Sequence, residues 1–156
     1  MVKFTKNEQL EGMKKMVVQD ERKERLWSFY VSEFHLEMIL FPYKNEKIKK
    51  GEEITILTQK ELKETLKILI SKMNFEEENK QKILKLNWEG DERIKENSNI
   101  IIIGSEKYIK EKNKEIESKN SISIVDCYDL EEIKDRMNKI SNEYKNVLNT
   151  LGKNKF

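Results

Sequence analysis

Glycine is scarce and scattered in this chain. Its five glycines, Gly12, Gly51, Gly90, Gly104 and Gly152, never fall within ten residues of one another. A Walker A loop needs two glycines around a tight turn, then Lys and Ser or Thr. A dinucleotide fingerprint needs three close together, so that backbone can approach a pyrophosphate. Neither pattern exists here, which argues against P-loop hydrolysis and Rossmann-type dinucleotide binding. Histidine and cysteine occur once each, as His35 and Cys127. A structural zinc site would need unusual carboxylate ligands, and no internal disulfide can form, which fits a reducing cytoplasm. The acidic run Glu76, Glu77 and Glu78 lacks the spacing and glycine of a calcium loop and reads as a solvated helix start. No metal and no cofactor are expected.

Long apolar runs are missing too. Nothing approaches the ~20 residues of a membrane span, and "MVKFTKNEQLEGMKKMVV" has no apolar signal region. The expectation is a soluble, cytoplasmic protein without a membrane partner. Charge of one sign is also in short supply: 31 basic residues face 29 acidic ones, for a net charge of +2. The lysines at 44, 47, 49 and 50 are diluted by Glu46, Glu52 and Glu53, and no aromatic residues interleave with them to stack on bases. No nucleic-acid partner is expected.

What the chain does contain is short, dense apolar segments. At 156 residues, with 37% apolar and 38% charged composition, it fits one domain over 1–156 with a real core. The runs "EITIL" (53–57), "NIIIIG" (99–104) and "SISIVD" (121–126) are short and β-branched, as strands are. Their near-continuous apolar character suits strands covered on both faces. "RLWSFYVS" (25–32) and "LKLNW" (84–88) complete a set of four to five. Helical patterns with caps lie between them. Thr58 with Glu61, and Asp129 with Glu132, have capping-box spacing. Asn74 with Glu77 opens an acid-rich helix, and Ser105 stands before another. A helix from Ser32 to about Lys50 should kink or end at Pro42, with Gly51 as its C-cap. The result is an α/β fold with a mostly parallel, helix-covered sheet, RecA-like or Rossmann-like in three layers. A helical extension is expected over 1–24. The alternative is one long helix over 7–41, since Leu10, Met13 and Val17 share a helical period.

The last element is read as a long C-terminal helix over 129–151. Leu130, Ile133, Met137, Ile140, Tyr144, Val147 and Leu151 repeat at spacings of three and four, an a/d seam through three heptads. Such a seam joins two copies or docks a partner helix; its ordinary role is to lay an apolar stripe on the sheet. A homodimer or a protein partner through this helix is the expectation.

In an open parallel sheet, ligands bind outside the carboxyl ends of the strands. The residues expected there are Tyr30, Ser32, Thr58, Gln59, Gly104, Ser105, Asp126, Cys127 and Tyr128, with His35 close by. Ser105 at a helix N-terminus suits an anion or simply caps its helix. Asp126, at the end of an apolar strand, occupies the place of a Walker B aspartate. Cys127 and His35 form the one possible Cys–His nucleophile pair, against the ordinary reading of Cys127 as a small buried residue. No catalytic residue is assigned.

The stretch "SFYVSEFHLEMILFPYKNEKIKKGEEITILTQKELKETLKILI" (28–70) resembles the opening of the methanogen/methylotroph sensory (MEDS) domain. The matching positions are Phe29, Tyr30, Pro42, Tyr43, Gly51 and Glu52, within a likeness covering mainly residues 25–73. The resemblance implies a RecA-like ATPase core without its Walker A loop, serving sensing or regulation, in which "SISIVD" is a remnant Walker B strand. Three functions follow as expectations. The first is a non-enzymatic regulatory or sensory module that binds a small ligand or a protein partner. The second is a small enzyme acting on a nucleotide-like substrate through Asp126 and Cys127. The third is a purely structural partner-binding protein.

Overall fold

The β-branched runs form the middle layer of the molecule, because both of their faces are covered. A computed structural model of the chain describes residues 24–88 and 94–155. Strand β1 (Glu24–Tyr30) leads into α1 (Glu33–Lys49), β2 (Glu53–Thr58) and the helix pair α2 (Lys60–Lys72) and α3 (Glu77–Leu84). The two-residue β3 (Asn87–Trp88) is followed by β4 (Ser98–Gly104), α4 (Glu106–Glu115) and β5 (Ser121–Asp129). Two short helices, α5 (Leu130–Ile133) and α6 (Met137–Ser141), flank a 3-10 turn at Lys134–Arg136. Strands β6 (Asn146–Asn149) and β7 (Gly152–Asn154) come last. The sheet order is β3-β2-β4-β5-β1-β6-β7. All neighbours run parallel except β6 and β7, which form an antiparallel hairpin.

Side chains alternate across each strand, and here both sets are largely apolar. Leu26, Ile54, Ile56, Ile101, Ile103 and Val125 pack beneath α1, α2 and α3 with Leu36, Leu40, Leu66 and Ile83. Trp27, Leu57, Ile100, Ile102 and Ile124 pack on the other face with Ile109 of α4, Ile133 of α5 and Ile140 of α6. The unbroken "IIII" of β4 is thus two half-cores interleaved. Polar ties reinforce the layers. Within the first, Lys44 Nζ donates to both carboxylate oxygens of Glu37, at 3.1 and 3.2 Å. The Tyr43 and Ser123 hydroxyls hydrogen-bond to each other, and Ser123 donates to Asn99 Oδ1 at 2.6 Å.

Helix α1 carries its own boundaries. The Ser32 hydroxyl accepts from His35 N–H at 3.1 Å. At the other end Gly51 adopts a positive φ of 76°. There Gly51 N–H donates to Ile48 C=O and Glu52 N–H to Lys47 C=O, at 2.9 and 3.0 Å, the paired bonds of a Schellman stop. Pro42 lies inside the helix and does not end it.

The C-terminal reading needs correction. No long helix spans 129–151: the segment is two short helices, a 3-10 turn and a β-hairpin, and among the described residues the sheet has seven strands rather than four to five. The seam residues therefore do not share one helix. Ile133, Ile140 and Val147 are buried in the second half-core, Met137 and Tyr144 pack against it, and Leu151 is exposed in the hairpin turn. The chain breaks its helix at Asn142. It then turns back at Gly152, whose φ is 101°, with Asn149 Oδ1 accepting from Leu151 N–H. The extension expected over 1–24 falls, save for Glu24, outside the described residues. The alternative helix over 7–41 gives way to β1 across 24–30. Among the described residues no helix is long and apolar enough to cross a membrane.

Candidate functional site

Neighbouring strands send their following helices to opposite faces at two places. Strand β1 leads to α1 on the first face, while its neighbour β5 leads to α5 on the second. Strand β2 leads to α2 on the first face, and its neighbour β4 to α4 on the second. Such divergence opens a crevice outside the carboxyl ends of the strands. The crevice here has a volume of about 390 Å³ and is lined by Tyr30, Glu33, Gln59, Leu62, Thr65, Gly104, Ser105, Asp129 and Glu132. The ends of four strands therefore meet at one cavity, within the size range of small-molecule sites.

Gly104 lets that cavity close around it. A Cβ at this position would lie 2.6 Å from Tyr108 Cδ2 and 3.3 Å from Gln59 Oε1, so β4 must end in glycine for both side chains to stand where they do. Gly104→Ala is expected to destabilise the protein by about 1–3 kcal/mol, the usual cost of overpacking. Urea unfolding of the two proteins measures it; an unchanged midpoint would place Tyr108 elsewhere.

The local caps hold the remaining lining. The Ser105 hydroxyl accepts from Tyr108 N–H at 3.1 Å, and Glu132 Oε1 reaches from α5 to accept from Glu106 N–H at 2.9 Å. Asp129 Oδ1 accepts from Glu131 N–H at 3.0 Å, capping α5. The Arg136 guanidinium is turned to Glu106, 2.8 Å from its Oε1. Tyr30 is only 5% exposed, and its hydroxyl has no hydrogen-bond partner among the described residues. Burial, together with Cys127, Asp129, Glu33 and Glu132, raises its pKa, so it stays a neutral phenol.

Of the residues expected at this edge, Tyr30, Gln59, Gly104 and Ser105 line the crevice. Ser32 caps α1, and the His35 ring accepts from Val31 N–H at Nδ1, 3.1 Å away. Thr58 is buried at the end of β2, its hydroxyl unpartnered among the described residues. Asp126, Cys127 and Tyr128 lie elsewhere, because β5 continues three residues past Asp126 and ends at Asp129. Cys127 is wholly buried in the first half-core, and burial raises its thiol pKa well above the usual value. A nucleophilic thiol needs access and a lowered pKa, so this position carries no Cys–His chemistry. Glu33, Leu62, Thr65, Asp129 and Glu132 were not anticipated. The signal for three of them was a carboxylate at or next to the junction where β1 and β5 pass into helices.

Asp126 instead anchors a buried cluster on the second face. Its Oδ2 accepts from the Tyr144 hydroxyl at 2.5 Å and from Arg25 Nη2 at 3.4 Å, and its Oδ1 accepts from Asn113 Nδ2 at 3.2 Å. Arg25 also donates to Asn113 Oδ1 at 3.1 Å. Because Tyr144 spends its proton on Asp126, the Tyr128 hydroxyl, 2.8 Å away, donates to Tyr144. Arg25, Asn113, Tyr128 and Tyr144 line a groove of about 550 Å³ between α4 and α6, in which Lys110 and Lys114 join Arg25 against Glu106, Glu117 and Glu143. With charges balanced and the polar atoms of Asp126 mutually satisfied, this cluster reads as a tie between layers. No family model matches the chain, and neither a curated protein nor a solved structure matches it.

Proposed function

We propose that this protein is a non-enzymatic regulatory or sensory module that binds a small ligand in the crevice at the carboxyl ends of β1, β2, β4 and β5. The observation that carries the reading is the meeting of four strand ends, with Gly104 and the unpartnered hydroxyl of Tyr30, at one cavity. The strand order supports its RecA-like part: leaving out β3, the parallel strands run β2-β4-β5-β1-β6, with β5 between β1 and β4, as in RecA-like cores. The turn after β1, where a phosphate loop would stand, has no glycine and carries Glu33, in keeping with a core that does not hydrolyse nucleotides. Ligand binding would act by favouring one of two states or associations for which it has unequal affinity.

Thermal unfolding against a panel of small metabolites tests this. A specific ligand at about a hundred times its Kd adds ~2.7 kcal/mol, and the midpoint should rise by about 2–4 °C for each kcal/mol. Leu62→Trp, which fills the crevice, should abolish the rise without lowering the midpoint of the free protein. A rise that survives Leu62→Trp would move the site elsewhere, and a flat response across the panel would point to a protein partner instead.

A further inference from the structure

The crevice has a charge pattern of its own. Glu33, Asp129 and Glu132 face it, and no lysine or arginine lines it among the described residues. None of the three carboxylates is in an ion pair among the described residues. Asp129 and Glu132 each accept one backbone N–H, on one oxygen; Glu33 accepts none there. Carboxylates gathered without counter-charges repel an anion and attract a cation.

Four helices begin at this edge, α1, α2, α4 and α5, and a helix start ordinarily invites phosphate. At α1, α4 and α5 the chain's own side chains accept the first N–H groups, while α2 begins at Gln59 without a side-chain cap. Glu106 N–H is bound by the Glu132 carboxylate and Tyr108 N–H by the Ser105 hydroxyl, so the start of α4 holds an anion of its own. A small dication is a poor fit as well: among the described residues no three His, Cys, Asp or Glu side chains are grouped as metal ligands. A larger cation can span carboxylates too far apart to chelate an ion, and about 390 Å³ accommodates one. Tyr30 supplies the second, independent observation. Its side chain is nine-tenths buried and lines the crevice, and its hydroxyl has no partner among the described residues.

We propose that the crevice binds an organic ammonium compound, with Glu33, Asp129 and Glu132 as counter-charges and the Tyr30 hydroxyl as a hydrogen-bond partner. This rests on the crevice being the ligand site and adds the class of ligand. A length-matched set of four-carbon probes isolates the charge: putrescine as the dication, 1,4-butanediol as the neutral form and succinate as the dianion. Agmatine and choline extend the cation arm, and AMP the anion arm. Calorimetric titration should give a measurable Kd for at least one cation, weakening with salt, and none for succinate or AMP. Glu33→Gln with Asp129→Asn, which keeps an α5 cap, should weaken that cation about 10–100-fold, the worth of a lost charge-assisted hydrogen bond. Tyr30→Phe should weaken it with no change in unfolding midpoint. Binding of succinate or AMP that Leu62→Trp abolishes would overturn the ammonium assignment while leaving the crevice as the ligand site. Cation binding indifferent to the Glu33 and Asp129 changes, or a Kd weaker than about 1 mM for all three cations, would also overturn it.

Discussion

Lys44→Ala is expected to cost about 3–5 kcal/mol, the penalty for leaving a buried charge without its partner. Lys44 and Glu37 are both fully buried. They stand two turns apart on α1, with the ammonium on both carboxylate oxygens and 5.4 Å from the Trp88 ring. No other hydrogen-bond donor reaches Glu37 among the described residues, so the single change strands a carboxylate beneath the sheet. A domain's whole stability is about 5–15 kcal/mol, which makes this one substitution a threat to folding. The double variant Glu37→Leu with Lys44→Met removes both charges and keeps apolar volume. It should be markedly more stable than Lys44→Ala, because replacing a buried pair outright is often neutral. Urea denaturation of the three proteins measures both effects. A loss below about 1 kcal/mol for Lys44→Ala, the range of exposed pairs, would mean the pair is solvated.

Asp126→Asn carries the second large effect, and it comes with a pH signature. The amide keeps the carboxylate's shape but turns an N–H group toward donors, so a cost of about 1–3 kcal/mol is expected. Burial raises the Asp126 pKa in the folded state, against the opposing pull of Tyr144, Arg25 and Asn113. Between the unfolded value, about 3.9, and the higher folded one, the native state holds more protons than the unfolded state. Stability at this site is therefore fully present below the unfolded pKa and is lost as pH rises through the folded pKa. The advantage of the natural protein over Asp126→Asn should shrink as pH is raised from 4 and then level off. Unfolding free energies of both proteins across that range decide it. An advantage that grows with pH would show that the three donors outweigh burial and hold the carboxylate ionised.

The strands were legible where composition and periodicity agreed. The runs at 53–57, 99–104 and 121–126 lie within β2, β4 and β5, because unbroken β-branched runs bounded by turn residues have few other uses. The caps Ser105 and Asp129 were readable from short polar side chains before helices, whereas Thr58 and Asn74 cap nothing, because α2 and α3 begin after Gln59 and Glu76 without a side-chain bond. The hairpin at the end was not. Ile133, Ile140 and Val147 do lie on one face of the molecule, but through two helices and a strand that share a core. A heptad pattern records which residues are buried together, not that one helix carries them. The contrary signals were Asn142, Asn146, Asn149 and Gly152, all weak helix formers. The candidate site was legible as an edge of the sheet but not in its charges. Reading β5 as ending at Asp126 moved the expected edge three residues inward, and Asp129 and Glu132 stayed hidden behind their cap role.

The position of β1 has a consequence for how the chain comes into being. Trp27 pairs with Asp126 on one side and Val147 on the other, so the strand near the middle of the sheet is synthesised about a hundred residues before either neighbour. At about 5–20 residues per second, Leu26 and Trp27 wait roughly 5–20 s on the ribosome with no strand to join. The first β–α–β unit to emerge, β1 to β2, gives no adjacent pair either, since β4 and β5 are inserted between them. Docking must await β5, and the nascent chain until then offers an apolar segment to any holdase within reach.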